Sequence, residues 1–182
     1  NREIKGLEAL LKTADGLNVV LQKLYSDQEE EIKMYLDPID MSDDEYVKAW
    51  LAQPYISKII PDTIPVYETD HSERVRSKSE LTIANAMGKL NIPYKYECPL
   101  RLKNGTVIYP DFTILIVSKR KVVYWEHRGM MDDADYARSA IARTKDYAKS
   151  GFYLGDSLFI TEETSSTPLG TDEIQAIIAM LV

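Results

Sequence analysis

The stretch Thr106–His127, TVIYPDFTILIVSKRKVVYWEH, constrains this chain more than any other. Two runs rich in β-branched and aromatic residues flank a short basic turn, Ser118-Lys119-Arg120-Lys121, and read as an antiparallel strand pair. Each run is mostly apolar yet carries one carboxylate near the end away from the turn, Asp111 and Glu126. A charge on such a strand is costly unless something pairs it. If the loop holds an even number of residues, the numbers of facing residues sum to an odd number. The expected register sets Thr113 opposite Glu126 and Asp111 opposite Arg128. Side chains on one face alternate by two, so Asp111 and Glu126 share a face, one diagonal step of roughly 7–8 Å apart. Two carboxylates that close repel unless one is protonated or a cation lies between them. Hard oxygen ligands favour Mg²⁺ or Mn²⁺ over zinc.

The flanking segments supply the other elements. Leu7, Leu10, Ala14, Leu17, Leu21 and Leu24 step by three and four, which predicts helix over residues 3–36. That seam is expected to pack on its own domain; a homodimer or a partner protein is the alternative use. Ser42 and Glu45 open a second helix with capping-box spacing. Residues 54–76, with Pro54, Pro61 and Pro65, read as an extended connector in which His71 is a solvated loop histidine. Ser77–Asn91 is an amphipathic helix with Glu80, Ile83, Ala84 and Met87 on one stripe. Ser77 and Glu80 also fit a capping box, which would account for Glu80 without any function.

Tyr94–Leu102 is read as one strand, and Lys103-Asn104-Gly105 as a hairpin turn leading into the central pair. Asp132-Asp133 caps a helix that runs to Ser150, with Tyr136, Ala140, Ile141, Thr144 and Tyr147 inward and Gly151 closing it. Ser157–Thr161 is a further strand, and Asp172–Leu181 a last helix with Ile174, Ile177 and Ile178 inward. The order is helix, three strands, helix, strand, helix. This is an α/β core over residues 74–182, preceded by a helical region and connector over 1–73.

With 182 residues, 45% of them apolar, the chain has material for a real core. A net charge of −7 speaks against coating nucleic acid through bulk charge, though not against one local basic patch. A single cysteine, Cys98, excludes an internal disulfide framework and a multi-cysteine zinc site, and points to a reducing, cytoplasmic compartment. No apolar run has the length of a membrane span, and no signal peptide is visible. The chain begins at Asn1 without a methionine, as a fragment or a trimmed chain would, and an upstream domain stays open.

The αβββαβ order, with Pro110-Asp111-Phe112 on the second strand and Tyr124-Trp125-Glu126-His127 on the third, resembles the PD-(D/E)xK phosphodiesterases, the restriction-endonuclease-like nucleases. Ser77-Lys78-Ser79-Glu80 on the first helix also carries the resemblance, which covers residues 74–181. It implies a mixed sheet flanked by helices and a divalent-metal-dependent nuclease, with DNA the expected substrate. Asp111, Glu126 and Glu80 would hold one or two Mg²⁺ or Mn²⁺ ions, joined by the backbone carbonyl of His127.

The match departs at the lysine. The family places it two residues after the second acid, where this chain has Arg128. Arginine stays protonated and is no base, but it can hold a phosphate. Some branches of the family move the lysine to the following helix, where Lys145 lies, and Lys145 is favoured over Arg128 as the substitute. Arg74, Arg76, Lys78, Arg101 and Lys103 are candidate phosphate contacts. The displaced lysine also supports a rival reading, a nuclease-fold module that has lost cleavage and only binds nucleic acid or a protein.

Overall fold

A computed structural model describes Val20, Lys23 and residues 41–58 and 65–182. The chain divides into two compact units, Asn1–Trp50 and Leu51–Val182. The leucine seam expected over residues 3–36 lies outside the described residues. Helix α1, Asp43–Ala52, starts with the anticipated box: the Glu45 N–H donates to Ser42 Oγ at 3.3 Å, and the Ser42 N–H donates to Glu45 Oε2 at 3.1 Å.

The connector is less extended than expected. Strands β1 (Tyr67–Glu68) and β2 (Arg74–Val75) form a small antiparallel hairpin, anchored by fully buried Val75. Helix α2 (Lys78–Lys89) follows, with Ser77 as its N-cap. Strand β3 (Tyr94–Tyr96) is also shorter than read, because Glu97 takes a left-handed φ of 46° and breaks the run. Beyond it, β4 (Leu100–Arg101) and β5 (Val107–Ile108) make a separate hairpin that turns at Gly105. Strands β6 (Phe112–Ile116) and β7 (Lys121–Arg128) are the central pair, and helix α3 (Ala134–Ser150) leads to β8 (Leu158–Glu162) and helix α4 (Thr171–Leu181).

The main sheet runs β3-β6-β7-β8, with the first two pairings antiparallel and β7–β8 parallel. It is a mixed sheet flanked by helices, an α/β fold. Phe112, Ile114, Val123 and Trp125 pack on one face with Ile83 and Met87 of α2 and Ile174 and Ile178 of α4. On the other face Tyr124 and Leu158 meet Tyr147 of α3 and Phe152, with Leu100 and Ile108 of the small hairpin alongside.

The central register is a correction. Thr113 pairs with Tyr124, not Glu126, because Ile116 and Lys121 already face each other across the turn. The loop is still even, so the parity argument survives, and the same register carried one step past Phe112–Trp125 sets Asp111 opposite Glu126. The expected diagonal becomes a direct pairing, with β-carbons closer together. A second correction concerns α3. Ile141 is 53% exposed, while Ala140 and Tyr147 are buried, so the inward stripe excludes it. Among the described residues, no helix is long and apolar enough to cross a membrane.

Phe112 is fully buried among the rings of Tyr94, Tyr96 and Trp125. Phe112→Ala is expected to cost about 3–5 kcal/mol of stability, read by urea unfolding followed by circular dichroism. A loss under about 1 kcal/mol would show that this ring cluster does not organise the core.

Candidate active site beside the central strand pair

Asp111 sits one residue before β6 and is 7% exposed. Its Oδ2 accepts the backbone N–H of His127 at 2.6 Å, and its carbonyl accepts the N–H of Glu97 at 3.0 Å. Burial pushes its carboxyl well above the ordinary value of 3.8, and the charges of Glu126 and Glu80 push the same way. The His127 N–H and the Arg76 guanidinium pull it down without offsetting this.

Glu126 on β7 is 4% exposed. Tyr147 donates its hydroxyl to Oε1 at 2.6 Å, and Arg143 Nη1 lies 3.4 Å from both oxygens. Both partners stand on α3, one turn apart. Burial and then the Glu126 charge push the Tyr147 phenol far up, so it remains a donor. Tyr136, on the first turn of α3, is raised by burial and next by Asp111, with Glu126 contributing as well. Asp111 and Glu126 therefore both act on the helix that covers this face.

The expected lysine substitutes lie elsewhere. Lys145 is exposed on α3. Arg128 is buried and points to the neighbouring strand and helix, donating to Glu162 Oε1 at 3.0 Å and to the Thr144 hydroxyl. The α3 cation that contacts Glu126 is Arg143, which the sequence reading passed over. A signal for it existed: Arg143 is one turn before Tyr147, which was read as inward.

Glu80 shows half of the expected capping box, because its carboxylate does not return to the Ser77 N–H. Its own N–H donates to Ser77 Oγ at 3.1 Å, as a capped first turn requires. Its carboxylate is buried and reaches past the cap, accepting the Tyr96 hydroxyl at 2.6 Å and the Arg76 N–H at 2.9 Å. Its charge is felt at Asp111.

The His127 imidazole is buried and hydrogen-bonded. Nδ1 is 3.1 Å from Thr161 Oγ1, whose oxygen also takes the Trp125 indole N–H at 3.1 Å. Which of the two atoms donates is set by the imidazole tautomer. Nε2 lies 3.3 Å from Glu163 Oε1 but off the line that a hydrogen bond needs.

Of the candidate phosphate contacts, Arg74, Lys78, Arg101 and Lys103 are exposed. Arg76 is half-buried and ion-paired with Glu97.

The donor chemistry fits a hard divalent cation: three buried carboxylates, of which Asp111 is raised by burial and then by the charges of Glu126 and Glu80. The side chains do not stand as a closed cage. Among the described residues no three His, Cys, Asp or Glu side chains are grouped as metal ligands. Asp111 is turned to His127, Glu126 to Tyr147 and Arg143, and Glu80 to Tyr96 and Arg76.

A comparison with curated proteins finds similarity to an uncharacterized protein of Methanocaldococcus jannaschii, 31% identical over 154 residues. The match takes in 82% of this chain and 12% of that protein, so the chain spans about an eighth of its relative. No family profile matches the chain, and no solved structure does.

Asp111 binds a proton more tightly folded than unfolded, so its ionisation costs stability. That cost is present above its raised folded value and disappears as the pH falls through it towards 3.8. Asp111→Asn, which keeps an acceptor for the His127 N–H, is therefore expected to melt higher than wild type at neutral pH in chelator. The gap should close near pH 4, where the unfolded carboxyl also protonates. Thermal melts across pH check this, and a pH-independent gap would remove the buried-charge account.

Proposed function

We propose that this chain is a divalent-metal-dependent nuclease of restriction-endonuclease-like fold that hydrolyses nucleic-acid phosphodiester bonds, with DNA as substrate. The observation that carries the reading is the buried Asp111 carboxylate, raised by burial and by the charges of Glu126 and Glu80. Ionised, this arrangement is unfavourable, and a divalent cation relieves it. Asp111, Glu126 and Glu80 are the metal carboxylates in this reading, joined by the His127 carbonyl that the resemblance implies. Bound there, Mg²⁺ or Mn²⁺ supplies an acidified water and neutralises charge growing on the phosphate.

The chain's own groups do the positioning. The His127 N–H holds Asp111, and the Tyr147 hydroxyl holds one oxygen of Glu126. Arg143 takes the part expected of the lysine. It is no base, but its half-exposed guanidinium is suited to a phosphate oxygen. Arg74, Lys78, Arg101 and Lys103 are exposed cations for neighbouring phosphates. A second reading, a module that binds nucleic acid without cutting it, is favoured by one observation: the cation on Glu126 is an arginine.

Plasmid and single-stranded DNA incubated with Mg²⁺ or Mn²⁺ separate the two. Cleavage is expected from wild type and not from Asp111→Ala or Glu126→Ala. Arg143→Ala should lower kcat by about 10²–10³, as loss of one positioned transition-state contact does, whereas Lys145→Ala stays near wild type. If wild type cuts neither DNA nor RNA, or Asp111→Ala cuts as well, the nuclease reading fails. Metal-independent binding without cleavage would establish the second reading.

A further inference from the structure

Glu163 stands one residue past β8, and its backbone is tied on both sides. Its N–H donates to the Arg128 carbonyl at 2.8 Å, and its own carbonyl accepts the Met131 N–H at 3.1 Å. These bonds fix the residue to the end of β7 and to the loop after it, and so fix where its side chain starts.

The carboxylate reaches three further places. Oε2 accepts the Ser79 hydroxyl at 2.9 Å and the Leu169 N–H at 3.1 Å. Oε1 stands 3.3 Å from Nε2 of His127, a ring nitrogen buried without a hydrogen-bond partner among the described residues. The Glu163 side chain is 21% exposed, so these contacts are largely shielded from water. Burial raises its carboxyl, but the Leu169 N–H, the Ser79 hydroxyl and the His127 ring outweigh that. Together they hold it below the ordinary 4.5, and it is an anion at neutral pH.

One of these contacts has a local use: the Leu169 N–H closes the loop from β8 to α4. The other two serve no loop. Ser79 is 84 residues away, in the first turn of α2, and precedes Glu80. His127 follows Glu126 on β7, and its N–H holds the Asp111 carboxylate at 2.6 Å. One side chain therefore touches the turn that carries Glu80 and the residue that links Glu126 to Asp111.

Such a link matters because the three acids come from three elements. Asp111 precedes β6, Glu126 is on β7 and Glu80 is on α2. An ion that binds all three needs those elements held at fixed separation. Groups standing behind the ligands do this, and losing one commonly weakens a metal site by about 10- to 100-fold.

We propose that Glu163 is a positioning residue for these carboxylates, holding the first turn of α2 against the end of β7 so that Glu80 stays with Asp111 and Glu126. This role rests on the metal site of the nuclease reading and is tested without cleavage.

The test is Mn²⁺ binding to the full chain, followed by the electron paramagnetic resonance signal of the free ion, beside thermal melts in chelator. Wild type is expected to bind and Asp111→Ala not to bind, which assigns the ion to the three acids. Glu163→Ala should weaken binding by about 10- to 100-fold. Glu163→Gln keeps an acceptor oxygen for Ser79 and Leu169, and should stay within about threefold of wild type. A loss in glutamine equal to that in alanine shows action through charge alone and overturns the proposal. Ser79→Ala should weaken binding severalfold with a melting temperature near wild type, and it decides the matter if Glu163→Ala does not fold. A lowered melting temperature with unchanged Mn²⁺ affinity in Glu163→Ala is the mark of loop closure only, and it too overturns the proposal. Wild type that binds no Mn²⁺, or Asp111→Ala that binds as well, removes the nuclease reading and this role together. Binding lost in Asp111→Ala yet untouched in Glu163→Ala and Ser79→Ala removes this role alone. Glu163-dependent Mn²⁺ binding in a chain that cuts no nucleic acid removes the nuclease reading and leaves the positioning role in place.

Discussion

The hydrogen bond from the His127 N–H to the Asp111 carboxylate, 2.6 Å long, ties the start of one central strand to the end of the other. A buried carboxylate beyond the last ladder pair has few ways to be satisfied, and a backbone donor on the adjacent strand is one. The bond carries the antiparallel register one step past Phe112–Trp125 and sets Asp111 opposite Glu126. The neighbouring segments then cover the acids: Arg143 and Tyr147 of α3 meet Glu126, while the Tyr96 hydroxyl of β3 and the N–H of Arg76, just before α2, meet Glu80.

The tyrosines make the cover possible because each serves two environments. The ring of Tyr96 packs on Phe112 in the core while its hydroxyl reaches Glu80. Tyr147 is fully buried beside Tyr124 and Phe152, and its hydroxyl ends on Glu126. Burial raises both phenols and the adjoining acids raise them further, so they stay protonated and donate. A sheet closed by apolar side chains alone would leave these carboxylates without partners.

Much of this was legible because it is local. Ser42, Ser77 and Asp133 cap helices where their spacing indicated, and Gly151 closes α3 at a φ of 95°. The parity that placed Asp111 and Glu126 on one face needed only an even loop, and the loop is even. The exact partners were not legible. The 3₁₀ turn Val117–Lys119 with left-handed Arg120 pulls the pairing one step tighter than the strand pattern indicates. Because β6 is buried on both faces, hydrophobic alternation gave no second check. Ile141 was misread as inward because an apolar residue next to a buried stripe looks the same on a helical wheel as one within it.

The sequence by itself determined the helices from Ser77 onward, the central strand pair and the last strand, their order, and the shared face of the acids, since these follow from periods of two and 3.6 and from cap chemistry. Only the tertiary structure decided which cation meets Glu126. Arg143, Lys145 and Arg128 all lie within reach on paper, and the choice depends on how α3 is rotated about its axis against β7. It also decided that Glu97 turns into the left-handed region and buries its carboxylate beside Arg76. That outcome balances backbone strain against an ion pair between residues 21 apart in sequence, and no local pattern records such a balance.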